Sequence, residues 1–236
     1  MKTYVMSALL CCLSFISLAG EPALYGSIRI TPIEHATFVM QTKQLTVFVD
    51  PVGDAERFRQ FGRPDVILIT DIHYDHMELD LVKKLAGVET NILAPKAVIK
   101  QLGQGKAINN GETLRMKNMV VEAVAMYNLT ESRLKYHPKG RGNGYVVTLS
   151  DKRIYISGDT EDVPEMRALE NIDIAIVCMN LPYTMTPQQA ASAVIEMQPK
   201  IAIPYHYRGT EGLSDINAFS QLVSAKNIRV DLLQWY

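Results

Sequence analysis

The sequence predicts a layered α/β fold with helices outside the sheets. Three observations carry that reading. Short apolar runs separated by turns crowd the first third of the chain, and apolar runs alternate with helical segments in the last third. Between them, the run Val66-Ile67-Leu68-Ile69 opens into Thr70-Asp71-Ile72-His73-Tyr74-Asp75-His76. An apolar run of this kind reads as a buried central strand, and the loop that follows it is dense in imidazoles and carboxylates.

The elements follow in order. Ser27 to Ile30, Ala36 to Met40 and Leu45 to Val49 read as strands, the third ending at Asp50-Pro51. Val52 to Pro64 is polar and reads as a loop or short helix. After the strand Val66 to Ile69 and its loop come a helix from Glu78 to Leu85, a strand at Asn91 to Leu93 and a helix from Lys96 to Leu102. Val120 to Ala125, Gly144 to Leu149 and Arg153 to Ile156 are strands, with a long loop rich in Lys, Arg and Gly from Asn128 to Asn143. Loops of that length in compact domains are functional or disordered. Strand Ile172 to Val177, a helix, strand Ile201 to Pro204, helix Ser214 to Ser224 and a strand from Arg229 to Leu233 complete the chain. The penultimate helix has a clear start: Thr186 caps, Pro187 takes the first helical position and Gln189 completes a capping box, so Ala190 to Met197 is helical until Pro199. The residues show no internal repeat.

The 236 residues are 47% hydrophobic, enough for one domain with a real core. The N-terminus reads as a signal peptide at 1–19: Lys2, an apolar stretch from Val5 to Ile16, and small residues at Ser17 and Ala19 before cleavage. The stretch is short for a span, which takes roughly 20 apolar residues; an uncleaved anchor is the alternative. Glu21 stands where a lipoprotein would carry Cys. The expectation is an exported protein, periplasmic or secreted, with residues 20–236 as one domain and no stable membrane insertion after cleavage. Formal net charge is −1 and no basic run appears, which excludes a nucleic-acid partner. Cys178, within Ile174 to Met179, is a core residue and has no disulfide partner once Cys11 and Cys12 leave with the signal.

The chemistry concentrates in the heptad. Asp71, His73, Asp75 and His76 sit at spacings that converge on a turn, and nitrogen with carboxylate oxygen suits Zn²⁺ and, less selectively, Fe or Mn. His206 follows the apolar strand in Ile203-Pro204-Tyr205-His206, where α/β sheets place their sites. Asp159 follows a strand and Gly158, where the backbone turns closely; its other reading is a turn-forming Asp, with Thr160 capping a helix. His35 and His137 read equally as site positions or as ordinary surface or packing residues.

These stations together resemble the metallo-β-lactamase fold superfamily of metal-dependent hydrolases. Thr70 to His76, Gly158-Asp159 and His206 are similar, in order and spacing, to its His-x-His-x-Asp-His loop, its Gly-Asp and its late strand-end His. Glu34-His35-Ala36 and Asp50-Pro51 look like upstream elements of the branch with L-ascorbate-6-phosphate lactonase and the phosphatidylethanolamine-cleaving phospholipase D enzymes. The resemblance spans nearly all of Ser27 to Tyr207. It implies a four-layer αββα sandwich and one or two Zn²⁺ ions, with Mn²⁺ or Fe²⁺ as alternatives. The chain departs twice from the pattern: Asp71 stands for the first His, and Asn128 falls at the middle His station.

What the resemblance implies for the site follows from those departures. Asp75, His76, Asp159 and His206 form an intact second subsite, whereas His73 alone is unchanged at the first. Either Asp71 ligates with Asn128 or His137 in an oxygen-richer shell, or one ion binds at the second subsite, or both are lost. Asp75 is the candidate catalytic residue, orienting or deprotonating a metal-activated water, whose pKa falls from 15.7 to roughly 7. Tyr127, Tyr183, Lys139 and Arg208 are candidates to bind substrate by loop position, with His35 and Asp50 around the ligands. The implied reaction is hydrolysis of a small ester, lactone, amide or phosphodiester. A metal-binding protein without activity and an iron-dependent redox protein are the rivals. Asn128-Leu129-Thr130 is formally a glycosylation sequon.

Overall fold

A computed structural model describes residues 20–116 and 118–236, and the signal peptide expected at 1–19 lies outside them. The first sheet contains, in spatial order, β1 (Ala23–Tyr25), β2 (Ile28–Glu34), β3 (Thr37–Gln41), β4 (Thr46–Val49), β5 (Val66–Leu68), β6 (Asn91–Ala94) and β7 (Lys106–Ala107). The strands β1 to β4 pair antiparallel, and β4 to β7 pair parallel. The parallel connections carry a 3₁₀ turn (Ala55–Phe61) and helices α1 (Leu79–Leu85) and α2 (Lys96–Leu102), since parallel neighbours need a crossover.

The second sheet repeats that plan. Strands β8 (Thr113–Met116), β9 (Met119–Met126), β10 (Gly142–Leu149) and β11 (Lys152–Ile156) pair antiparallel; β12 (Ile174–Cys178), β13 (Ile201–Tyr205) and a late strand, β16 (Arg229–Val230), continue in parallel. Helices α3 (Pro164–Arg167), α4 (Pro187–Met197) and α5 (Ile216–Ser224) serve this half, and a small hairpin of β14 (Arg208–Gly209) and β15 (Gly212–Leu213) precedes α5. The residues show no repeat, but the pairing pattern of the two sheets is one.

Alternation along the strands sorts the core into layers. In β4 and β5, Val47, Val49, Val66 and Leu68 join Val121, Tyr145, Ile156 and Tyr205 of the second sheet in one buried cluster. Their neighbours Phe48 and Ile67 face the other way, against Phe58, Leu81, Val82 and Val98. The cluster shared by the sheets continues to Ala190 and Val194 of α4 and Phe219 and Val223 of α5. Helices therefore cover both outer faces, giving the four-layer αββα arrangement. Each fully buried Phe, Ile or Val contributes roughly 1.5–3 kcal/mol.

Local expectations and outcomes compare closely. Thr186 accepts from the Gln189 amide while the Gln189 side chain accepts from the Thr186 amide, completing the capping box of α4. The long loop is shorter than its composition suggests. Gly142 and Asn143 already pair with Met126 and Ala125, and Glu131–Arg133 forms a 3₁₀ turn. The last strand is shorter too, because β13 offers β16 partners only at Ile201 and Ala202. Strands β1, β7 and β8 and the small hairpin are too short to be read, and Thr113–Met116 has no fully buried residue. Cys178 is fully buried, and burial pushes its thiol up to about 11.

Candidate metal centre

The C-terminal ends of the first parallel strands in both sheets meet at one place. Asp50 follows β4, the heptad follows β5, Ser157-Gly158-Asp159 follows β11 and His206 follows β13. Backbone strain gathers here: Asp50, His206 and His35 have φ of 44°, 43° and 49°, values uncommon for residues other than glycine. Gly158 at φ 60° is required on a second ground. A Cβ there would stand 2.4 Å from Met126 Sδ and 3.0 Å from the Asn143 carbonyl. That close approach delivers Asp159 into the space between the sheets.

Two clusters of potential ligands result, Asp71/His73/His137 and Asp75/His76/His206. Asp159 stands between them. Its Oδ2 lies 3.3 Å from His76 Nε2 and 3.2 Å from His137 Nε2, and its Oδ1 lies 3.4 Å from His206 Nε2. His206 Nε2 is also 3.4 Å from Asp75 Oδ2. Of the heptad and its partners, Asp71, His76, His137, Asp159 and His206 are buried, and Asp75 and His73 are partly exposed toward the mouth.

The electrostatics are those of a site made to hold positive charge. Burial opposes ionisation of Asp159 and Asp75, yet the neighbouring imidazoles of His206 and His76 outweigh it and hold both carboxyls well below the usual range. Burial would lower His76, but the carboxylates of Asp159 and Asp50 override it and raise it well above an ordinary imidazole. A divalent ion would take the place of that proton, as metal binding to imidazole generally does. The donor set passes a direct test of fit. His76 Nε2 and Asp159 Oδ1 are buried without hydrogen-bond partners, an expensive arrangement unless a cation satisfies them. Two imidazoles and two carboxylates suit Zn²⁺, Mn²⁺ or Fe²⁺.

Asp50 fixes the second cluster from behind. It is fully buried and accepts from the Thr70 amide (2.7 Å), the Thr70 hydroxyl (2.6 Å) and His76 Nδ1 (2.8 Å). A proton held on Nδ1 leaves Nε2 with a free electron pair, the orientation expected behind a metal-bound imidazole. Burial pushes the Asp50 carboxyl up, against the pull of His76 and Thr70. His35 stands on the other side: its ring packs edge-on against His206 at 5.3 Å, its carbonyl accepts from the His206 amide, and its Nδ1 meets the Tyr236 hydroxyl at 3.1 Å.

The first cluster is organised differently. His137, not Asn128, stands with Asp71 and His73. Asn128 is buried behind it: its amide nitrogen lies 3.1 Å from His137 Nδ1 and donates to the carbonyls of Arg133 (3.0 Å) and Tyr183 (2.8 Å). Burial at 2% exposure also makes the sequon at Asn128 inaccessible in the folded chain. Arg141, which sequence reasoning did not single out, donates to both oxygens of Asp71 (3.0 and 2.6 Å) and lies 3.0 Å from His73 Nε2. Burial, with the nearby Arg141 charge, lowers the His73 imidazole despite the opposing pull of Asp71. The signal for Arg141 was present in principle, because a buried carboxylate such as Asp71 demands a cation.

Several loop candidates point elsewhere. The Tyr127 hydroxyl donates to Glu165, and Lys139 bonds both Tyr127 and Glu165. Arg208 lies over the Tyr236 ring at 4.2 Å. Tyr183 contributes its carbonyl to Asn128, its hydroxyl to Thr210 and its ring to an edge contact with Tyr136. Two other polar residues were missed. Glu161 accepts from the Leu129 and Thr130 amides, the Thr130 hydroxyl and Arg133, clamping the loop that leads to His137. Asn180 lies 3.4 Å from His206 Nε2 and is held by Thr184.

Comparison with known proteins agrees with this geometry. A domain family described as "Beta-lactamase superfamily domain" matches residues 29–206. A UPF0173 metal-dependent hydrolase of Koribacter versatilis is 30% identical over 197 residues, covering 76% of this chain and 84% of that protein. A UPF0173 protein of Pyrococcus abyssi is 29% identical over 210 residues, covering 86% and 94%. Among solved structures, a candidate metal-dependent hydrolase from Parabacteroides distasonis superposes with a TM-score of 0.82 at 39% identity, covering 90% of this chain and 97% of that one. The metallo hydrolase Igni18 of Ignicoccus hospitalis shares the fold at a TM-score of 0.74 and 20% identity, covering 87% and 94%.

Proposed function

The chain belongs to the β-lactamase superfamily as a metal-dependent hydrolase, and we propose that its working ion is held by Asp75, His76, Asp159 and His206. The observation that carries this reading is the pair of buried ligand atoms without a hydrogen bond, His76 Nε2 and Asp159 Oδ1, set among the imidazoles and carboxylates of the second cluster. When bound, a divalent ion supplies Lewis acidity and a water of lowered pKa.

The residues of the chain do the rest. Asp50 and Thr70 hold the His76 ring with Nε2 toward the site. Asp159 sets the distance between the two clusters, and the edge contact of His35 steadies His206. Asp75 is the more exposed carboxylate, and its depressed pKa leaves it ionised at neutral pH. With an ion bound and the pKa of its water lowered, Asp75 would orient that water and take its proton. The substrate class proposed is a small ester, lactone, amide or phosphodiester, hydrolysed outside the cytoplasm if the segment 1–19 acts as a signal. Zn²⁺ is the first candidate for the ion, with Mn²⁺ or Fe²⁺ behind it.

The test is a screen of lactones, esters, amides and phosphodiesters with chelator-stripped protein reloaded with Zn²⁺ or Mn²⁺, alongside D75N and H206A. Metal-dependent turnover that collapses in both variants supports the assignment. Retention of full turnover in H206A would place the working ion elsewhere.

A further inference from the structure

We infer that Arg141 is the resident cation of the first subsite, so that the protein binds one divalent ion and a guanidinium stands where a second would sit. The inference rests on the assignment of the working ion to Asp75, His76, Asp159 and His206, and concerns the neighbouring cluster.

A guanidinium already sits among the ligand atoms of this cluster. A neutral imidazole offers one N–H and one lone pair. His73 Nδ1 lies within ion-pair distance of Asp71 Oδ2, at 3.3 Å. Its Nε2 lies 3.0 Å from Arg141 Nη2, which has no lone pair to give and can only donate. Arg141 therefore stands on the Nε2 side of the ring, where an ion would approach. Asp71 is held more tightly, with three donors on its roughly four lone-pair sites. It is fully buried, and its two oxygens receive Arg141 Nε at 3.0 Å and Nη2 at 2.6 Å, with the Ile72 amide at 2.8 Å on Oδ1. That side-by-side geometry is the strong bidentate form of the carboxylate–guanidinium pair.

An ion bound to Asp71 and His73 at ~2.0–2.2 Å would compete for the very lone pairs that Arg141 uses. The second cluster differs in its free ligand atoms. His76 gives its Nδ1 to Asp50, and its Nε2 and Asp159 Oδ1 make ion-pair contacts at 3.3 and 3.4 Å but no hydrogen bond. Charge follows the same division. Asp71 and Arg141 cancel within the first cluster, whereas Asp75 and Asp159 meet imidazoles in the second. The placement of Arg141 is no accident of a floppy side chain: it immediately precedes β10, and the two hydrogens of Nη2 are shared among Asp71 Oδ2, the Tyr136 carbonyl and His73 Nε2. Replacement of the usual imidazole by Asp71 is then intelligible, since a carboxylate recruits a guanidinium that an imidazole would repel.

The experiment counts ions. Full-length protein is stripped with chelator, loaded with excess Zn²⁺, dialysed, and its metal measured by inductively coupled plasma mass spectrometry. One ion per chain is expected in the wild type and two in R141A, because Asp71 and His73 are then released beside His137. Anomalous diffraction from the loaded wild type, which needs no variant to fold, is expected to show one peak, between Asp75, His76, Asp159 and His206. A peak at Asp71, His73 and His137 in the wild type overturns the inference while leaving the hydrolase assignment standing. A folded R141A that still binds one ion overturns it too. No ion at either cluster in the wild type refutes the underlying site assignment, and this inference with it.

Discussion

Asp50→Asn is the sharpest probe of how the carboxylate behind His76 prepares the metal site. Asn is nearly isosteric, and its carbonyl can replace Oδ1 in accepting the Thr70 amide at 2.7 Å. The other oxygen, Oδ2, accepts from His76 Nδ1 at 2.8 Å and the Thr70 hydroxyl at 2.6 Å, and an amide NH₂ now stands in its place. An NH₂ donates, so it stabilises the His76 tautomer whose proton sits on Nε2. That proton blocks the electron pair an ion needs. Losing such a partner behind a ligating imidazole costs about 10–100-fold in metal affinity, or about 1.4–2.7 kcal/mol. Competition against a chromophoric chelator measures the Zn²⁺ dissociation constant directly. Circular dichroism of the metal-free variant checks that the fold persists. A folded D50N with wild-type affinity would refute the claim that the Asp50–His76 bond sets the tautomer.

Three further outcomes follow from other parts of the molecule. Glu161→Gln turns one acceptor oxygen into a donor facing amide, hydroxyl or guanidinium donors, in a nearly fully buried place, and is expected to cost about 3 kcal/mol or more, read as the shift in urea midpoint. Burial works against the Glu161 charge, but the Thr130, Leu129 and Arg133 donors outweigh it and lower its pKa. Its contribution is therefore complete above the unfolded glutamate value of about 4.3 and fades as pH falls through the lower folded value. The gap between wild type and E161Q must narrow on acidification, and a gap that widens contradicts the assignment. Thr186→Ala removes the capping box of α4 and should cost about 1 kcal/mol, a Tm decrease of roughly 2–4 °C by calorimetry. Tyr145→Phe deletes a hydroxyl that donates to the Ile69 carbonyl at 2.7 Å, tying the second sheet to the root of the metal loop. A loss of about 1–2 kcal/mol is expected in denaturant titration, and an unchanged midpoint would show that this tie carries no stability.

The fold was largely legible because its longest elements are strongly patterned. Val66 to Ile69, Ile174 to Cys178 and Ile201 to Tyr205 are apolar throughout, as strands covered on both faces must be. Thr186-Pro187-Gln188-Gln189 announces a helix start in four residues. What escaped were strands that owe their existence to a neighbour, not to their own pattern. The Thr113–Met116 strand forms because β9 pairs with it, and Lys106–Ala107 because β6 does. The duplication of the sheet plan escaped for a related reason: it resides in the order of pairings, which residue identity does not record.

The same division holds at the site. The sequence by itself determined the chemistry, because a heptad with two His and two Asp at a strand end, a Gly-Asp after another strand and a His after a third admit few uses other than metal binding. It also determined that the first half of the heptad is unusual, since Asp71 is visible as a carboxylate. Only the tertiary structure decided how that carboxylate is used. Asp71 and Arg141 are 70 residues apart, and nothing in the Lys- and Arg-rich loop distinguishes Arg141 from Lys135 or Lys139 until the chain folds. Likewise Asn128 and His137 were interchangeable on paper, and packing placed one in the cluster and the other behind it. Ligand type is a property of side chains, whereas the sharing of lone pairs and charges among them depends on distances that exist only once two sheets have met.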